Sequence, residues 1–138
     1  MARVVIQFPE KILFSTSLSV RITDLNYGGH LGNDSVLSLL HEARVRFLQH
    51  IGLSELDLGG VGIIMSDAAI QFKSEAFFGE ELTIEVAVDD ITRVAFDMYY
   101  RITNADKIIA IAKTGIVCFD YTLRKVAPVP QLFLDKIS

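Results

Sequence analysis

Between Ile12 and Ile22 the even positions read Ile12, Phe14, Thr16, Leu18, Val20 and Ile22, while the odd positions carry mainly serine and Arg21. Successive side chains of a strand point to opposite faces, so this period of two predicts a strand with one face buried. The pattern then changes. Val36, Leu39, Leu40, Ala43, Phe47 and Ile51 recur at intervals of three and four, which lines one face of a helix, and Asn33 or Asp34 stands where a cap is needed. Gly52 is placed to end that helix. Beyond it strand patterns follow one another. They are "VGIIMSDAAIQFKSEA", "EELTIEVAVDD" with Leu82, Ile84, Val86 and Val88 on one face, "TRVAFDMYYRIT" with Val94, Phe96, Met98, Tyr100 and Ile102, and "KIIAIAKTGIVCFDYTL". Phe78-Gly79-Glu80, Asp89 to Thr92 and Asn104-Ala105-Asp106 separate these runs by joins of hairpin length. A second helical period shows only over the last ten residues.

One strand, a long helix and four more strands predict an α+β chain with a five-stranded antiparallel sheet. The helix is apolar around much of its circumference, so the sheet is expected to curl around it, and the uncovered face and edges invite a second copy. With 138 residues, no repeat, and its three prolines (Pro9, Pro128 and Pro130) near the ends, the chain is expected to form a single domain over 1–138. A net charge of -4 without a run of Lys or Arg argues against nucleic acid or an anionic membrane as the main partner. The start lacks a signal-peptide layout, and no apolar run reaches the roughly 18 residues of a membrane span. Cys118 is the single cysteine, so no internal disulfide forms, and a cytoplasmic location is expected with Cys118 in the core.

The joint between the first strand and the helix, "TDLNYGGHLGND", holds three glycines, a histidine, two aspartates and two asparagines. A plain turn needs fewer. The joint and the order of elements together resemble the hotdog-fold thioesterases of the 4-hydroxybenzoyl-CoA thioesterase type. Their joint reads D-x-D-x-x-G-H-x-x-N, followed by a helix containing E-x-R. Asp24, Asn26, Gly29, His30 and Asn33 occupy those places, and "HEAR" supplies Glu42 and Arg44. The likeness continues through "IQFKSEAFFGEELTIEV", similar to F-x-x-P-x-x-x-G-D-x-L-x-V with Ala76 read in the place of the proline, and through "RKVAPVP". It spans about Leu18 to Pro130. The resemblance implies a hotdog fold and hydrolysis of an acyl-CoA or acyl-carrier-protein thioester to a free acid and a thiol. It implies no metal and no bound redox cofactor, coenzyme A entering only as part of the substrate. It also implies a homodimer or homotetramer with the site between subunits. An acyl-thioester hydratase and a non-catalytic acyl-thioester binding protein are the alternatives, the second because Asn26 stands where the family carries its catalytic carboxylate.

Thioester hydrolysis needs an activated water or nucleophile and a donor for the developing oxyanion. Backbone N–H groups at a helix start are unpaired and lie at the positive end of the helix dipole, so Gly32 and Asn33 are placed to donate. The resemblance gives that role to Asn33. Candidate bases are His30, Asp24, Asp34 and Glu42, with His30 first because its intrinsic pKa lies nearest neutrality. Glu42 either acts as base, orients His30, or pairs with Arg46 one turn along the helix. Asn26 cannot take a proton, but its amide can hold water or a carbonyl. Asp24, Gly29, Gly32 and Ser66 are candidate substrate contacts. For Asp24 backbone bonding in the turn is the competing role, and for Asp34 helix capping. Ser66 faces the helix start only if the second strand pairs beside the first. Lys73, Arg93, Arg124 and Lys125 are candidate contacts for coenzyme A phosphates or ordinary solvated charges.

Overall fold

The computed structural model describes residues 3–105 and 107–138, so Asp106 of the third join lies outside the described residues, as do Met1 and Ala2. The chain runs β1 (Phe14–Ser19), a 3-10 turn (Ile22–Asp24), α1 (Asn33–His50), β2 (Gly62–Phe72), β3 (Glu81–Asp89), β4 (Ala95–Asn104), β5 (Lys107–Asp120), β6 (Lys125–Val126) and α2 (Gln131–Ile137). The strands form an antiparallel sheet in the order β1-β3-β4-β5-β2, with β6 added to β5. The sheet therefore has six strands rather than five, the extra one only two residues long. β1 is shorter than its alternating pattern, because the chain turns into the 3-10 segment at Ile22.

The predicted faces meet in the core. α1 buries Val36, Leu39, Leu40, Ala43, Phe47 and Leu48, and the sheet's inner face supplies Leu82, Ile84, Val86, Phe96, Met98, Tyr100 and Ile102. Full burial of one such side chain contributes about 1.5–3 kcal/mol, enough to fix α1 to the sheet once several act together. Gly52 ends α1 with φ +79°, donating to the Gln49 carbonyl at 3.0 Å while Leu53 N–H reaches the Leu48 carbonyl at 2.8 Å. This paired-bond ending needs the left-handed residue that glycine supplies. The start of α1 differs from expectation. Gly32 is the N-cap, and neither Asn33 nor Asp34 caps through its side chain, because both already lie inside the first turn.

The join at Phe78-Gly79-Glu80 is not a hairpin. β2 is the edge strand opposite β1, whereas β3 lies beside β1. Residues 73–80 therefore cross three strand spacings of about 4.8 Å. On the way Ala76 accepts Leu31 N–H at 2.8 Å, and Gly79 N–H donates to Val20 at 2.9 Å. This crossing segment carries the chain across the first-strand-to-helix joint. On the sheet's other face the N-terminal segment runs outward from Leu13, which donates to the Val86 carbonyl at 2.8 Å. Phe8 packs under the Arg101 guanidinium at 4.5 Å, and Ile6 N–H donates to Gln71 Oε1 at 3.2 Å.

Candidate active site

Asn26 organises the joint. Its Oδ1 accepts Gly28 N–H at 2.9 Å and His30 N–H at 3.2 Å. Its backbone N–H donates to the His30 carbonyl at 2.8 Å, and its carbonyl accepts Gly29 N–H at 3.1 Å. Two backbone donors converging on one side-chain atom require an oxygen there, so the amide nitrogen points the other way, free of acceptors among the described residues. Gly29 serves the turn itself: its φ is +81°, and a Cβ there would meet nothing within 4 Å.

His30 is held on two sides. Nδ1 lies 3.1 Å from Glu75 Oε2 on the crossing segment, and the ring packs against Phe77 with centroids 5.1 Å apart. A carboxylate 3.1 Å from Nδ1 favours the proton on that nitrogen and the lone pair on Nε2. Gly28 keeps that side open, since a Cβ there would stand 3.4 Å from His30 Cδ2 and 3.2 Å from Asn26 Oδ1. At the helix start Asn33 N–H has no acceptor among the described residues. It belongs to the positive end of α1, where carbonyl oxygens that gain negative charge are stabilised. A cavity of about 500 Å³ opens between the joint and the crossing segment, lined by Asn26, His30, Asn33, Phe72, Lys73 and Glu75 among others.

Of the residues singled out in the sequence, Asn26, His30, Asn33 and Lys73 thus converge on one cavity. The others do not line it. Asp24 is buried and accepts the Arg21 backbone N–H at 2.9 Å and the Arg21 guanidinium at 3.3 Å and 3.1 Å. Burial pushes its carboxyl upward, but these bonds outweigh burial and hold it below the usual carboxylate range. Asp24 therefore anchors the turn and lies outside the cavity lining. Gly32 is buried and accommodates the neighbouring carboxylate, because a Cβ would lie 2.6 Å from Asp34 Oδ1. Glu42 pairs with Arg46 Nε at 2.9 Å, and Arg46 also reaches Thr16 Oγ1 at 2.8 Å and the Ser17 carbonyl at 3.0 Å. Glu42 thus sits on the β1 side of α1, and within this chain it is not the orienting partner of His30. Ser66 is exposed at a bulge between Met65 and Asp67, and its strand lies at the sheet edge farthest from β1. The condition for it to face the helix start is not met. Arg93, Arg124 and Lys125 also lie outside the cavity lining.

Glu75 is the site residue that periodicity missed. One signal for it existed. Counted back from Gly79, the proline of the passage that this stretch resembles falls on Glu75 and not on Ala76, which corrects the reading of Ala76 in that place. Arg44 of "HEAR" is a core brace. Its Nε donates to Glu55 Oε2 at 2.8 Å and its Nη1 to Tyr100 Oη at 3.1 Å. Tyr100 Oη lies 2.7 Å from Thr114 Oγ1, and His41 Nε2 lies 2.8 Å from Glu55 Oε1. Burial opposes the charge on Arg44, yet Tyr100 and Glu55 keep its pKa above the ordinary value. Burial pushes the Cys118 thiol up to about 11, so it is not a thiolate nucleophile near neutrality.

Residues 20–137 match the model of the thioesterase-like superfamily. The chain belongs to this superfamily. A 1,4-dihydroxy-2-naphthoyl-CoA hydrolase of Microcystis aeruginosa is 30% identical over 115 residues, covering 81% of this chain and 83% of the relative. The crystal structure of a 1,4-dihydroxy-2-naphthoyl-CoA thioesterase from Synechocystis is 26% identical with a TM-score of 0.81, covering 90% of this chain and 94% of that one. A gentisyl-coenzyme A thioesterase shares the fold at a TM-score of 0.81 and 18% identity, covering 91% of this chain and all (100%) of that one. The hotdog fold expected of the sequence is therefore present, and this thioesterase is a thioester hydrolase by family.

Proposed function

We propose that this thioesterase hydrolyses an acyl-CoA thioester in the cavity between the joint and the crossing segment, with His30 as the general base. The observation that carries this assignment is the place of His30 in the cavity lining, with a carboxylate 3.1 Å from its Nδ1. Nε2 takes a proton from water as the water oxygen attacks the thioester carbonyl carbon. Asn33 N–H and the free Asn26 amide N–H receive the oxyanion, and collapse of the tetrahedral intermediate breaks the C–S bond. His30 returns the proton to the departing thiolate, giving a free acid and a thiol. Water, base and donors complete the chemistry without a metal or a bound redox group. Lys73 lines the same cavity and supplies a cation for the phosphates of coenzyme A.

The test is thiol release from a panel of acyl-CoA and acyl-carrier-protein thioesters. The aromatic acyl groups named for the relatives head the panel. Catalysed release is the expected result, and tight binding without release would establish the second reading, a non-catalytic thioester binder. Asn26 favours that reading, because an amide stands at the joint in place of the family's carboxylate.

We propose also that two copies associate through the β2 edge, where Ile64 and Met65 are 38% and 46% exposed. An unpaired apolar edge strand is an association site unless something covers it. Sedimentation at micromolar concentration should give a dimer or tetramer of the 15.3 kDa chain, and a monomer there would refute the assignment. Among the described residues no helix is long and apolar enough to cross a membrane. A reducing cytoplasm suits the single free thiol.

A further inference from the structure

We propose that Glu75 is the positioning residue of the active site, acting through His30 and doing the work that Asn26 cannot do. The inference rests on the reading of His30 as base. Asn26 contributes no proton acceptor, and its side-chain oxygen is committed to the Gly28 and His30 N–H groups. The base therefore needs its carboxylate from elsewhere. Glu75 is the carboxylate in contact with the His30 ring, at 3.1 Å from Nδ1.

Its backbone is fixed from both sides. Lys107 Nζ donates to the Glu75 carbonyl at 3.1 Å, and the next residue, Ala76, is buried and accepts Leu31 N–H at 2.8 Å. Phe77 then closes on the ring, bridged to His30 through the backbone as well. Glu75 thus performs three tasks through one contact. It selects the Nδ1-protonated tautomer, fixes the ring about its χ angles, and faces the imidazolium formed when Nε2 takes a proton. The pair is half open to water, with the two side chains 33% and 65% exposed, so it adds little to stability. Its loss is therefore read in turnover, not in unfolding.

The experiment compares the wild type with Glu75→Ala, Glu75→Asp and the double variant His30→Ala/Glu75→Ala. Glu75→Ala is expected to lower kcat by about tenfold or more with KM within about threefold, since the effect falls on proton transfer rather than on binding. Glu75→Asp should retain more turnover than Glu75→Ala, because it keeps the carboxylate. In the His30→Ala background removal of Glu75 should cost nothing further. A merely structural surface pair would leave kcat within about twofold or give additive losses, and either result would overturn the proposal. A second measurement does not depend on turnover. Imidazole nitrogen shifts in labelled protein should report a single Nδ1-protonated tautomer of His30 in the wild type and a mixture in Glu75→Ala. An unchanged tautomer in the variant would also overturn it. Absence of thiol release from the wild type together with the expected tautomer change would instead sink the thioesterase reading and leave the Glu75 contact standing.

Discussion

Replacing His30 by alanine is expected to lower thiol release by about 10²-fold or more, the scale of a positioned acid–base group. The fold should survive. The ring is only partly buried, its Glu75 partner is 65% exposed, and the turn is held by Asn26 and backbone bonds that the substitution does not touch. Binding of a non-hydrolysable acyl-CoA analogue should be retained, because the donors at Asn33 and Asn26 remain. Kinetics on the best substrate of the panel, with thermal unfolding as control, decide the matter. Unchanged release at an unchanged Tm would reduce His30 to a turn residue.

The largest expected stability effect belongs to Arg44→Ala. The substitution strips a partner from the Glu55 carboxylate and from the buried Tyr100 hydroxyl at the same time. Removing one member of a buried ion pair costs about 3–5 kcal/mol, and the low end applies because Glu55 is 29% exposed and keeps His41. For a chain of this size that corresponds to a fall in Tm of roughly ten degrees. The effect should depend on pH. Burial raises the Glu55 pKa, but the bonds from Arg44 and His41 prevail and hold it below the usual value. A carboxyl depressed in the folded state contributes its stability in full above the unfolded pKa of about 4.3, and loses it as the pH falls through the folded value. The gap between wild type and Arg44→Ala, measured by denaturant unfolding, should therefore be widest near neutrality and narrow below about pH 4. A gap independent of pH would show that Arg44 acts by packing of its stem alone.

What was legible in the sequence was whatever repeats along the chain. The period of two gave the inner sheet face at Leu82, Ile84 and Val86, and the spacing of three and four gave the buried stripe of α1. Both signals are local, and burial enforces them. The joint was legible for another reason: Asn26, His30 and Asn33 sit within one turn and one helix start, so sequence proximity is spatial proximity. The pairing of His30 was not legible in that way. Glu42 was the carboxylate closer along the chain, but Arg46 and Thr16 hold that side of α1 toward β1. Glu75 arrives only because residues 73–80 cross the sheet, and a join of that length looks the same whether it turns back or crosses over. Ser66 failed on the same point, since its position depended on the order of strands. Asp24 was legible in its competing role, bonding to the backbone of the turn. Its partner Arg21 stands three residues away, so that contact too is local in the chain.

The crossing segment makes the catalytic chemistry a property of the finished topology. His30 and Glu75 meet only after β2 has found the far edge of the sheet and β3 has docked beside β1. Such contacts between distant parts of a chain form late, once the entropy of closing the long intervening loop has been met. Recovered turnover in a refolding experiment is therefore expected to return with the completed topology. Return of helical or sheet signal alone would report an earlier stage.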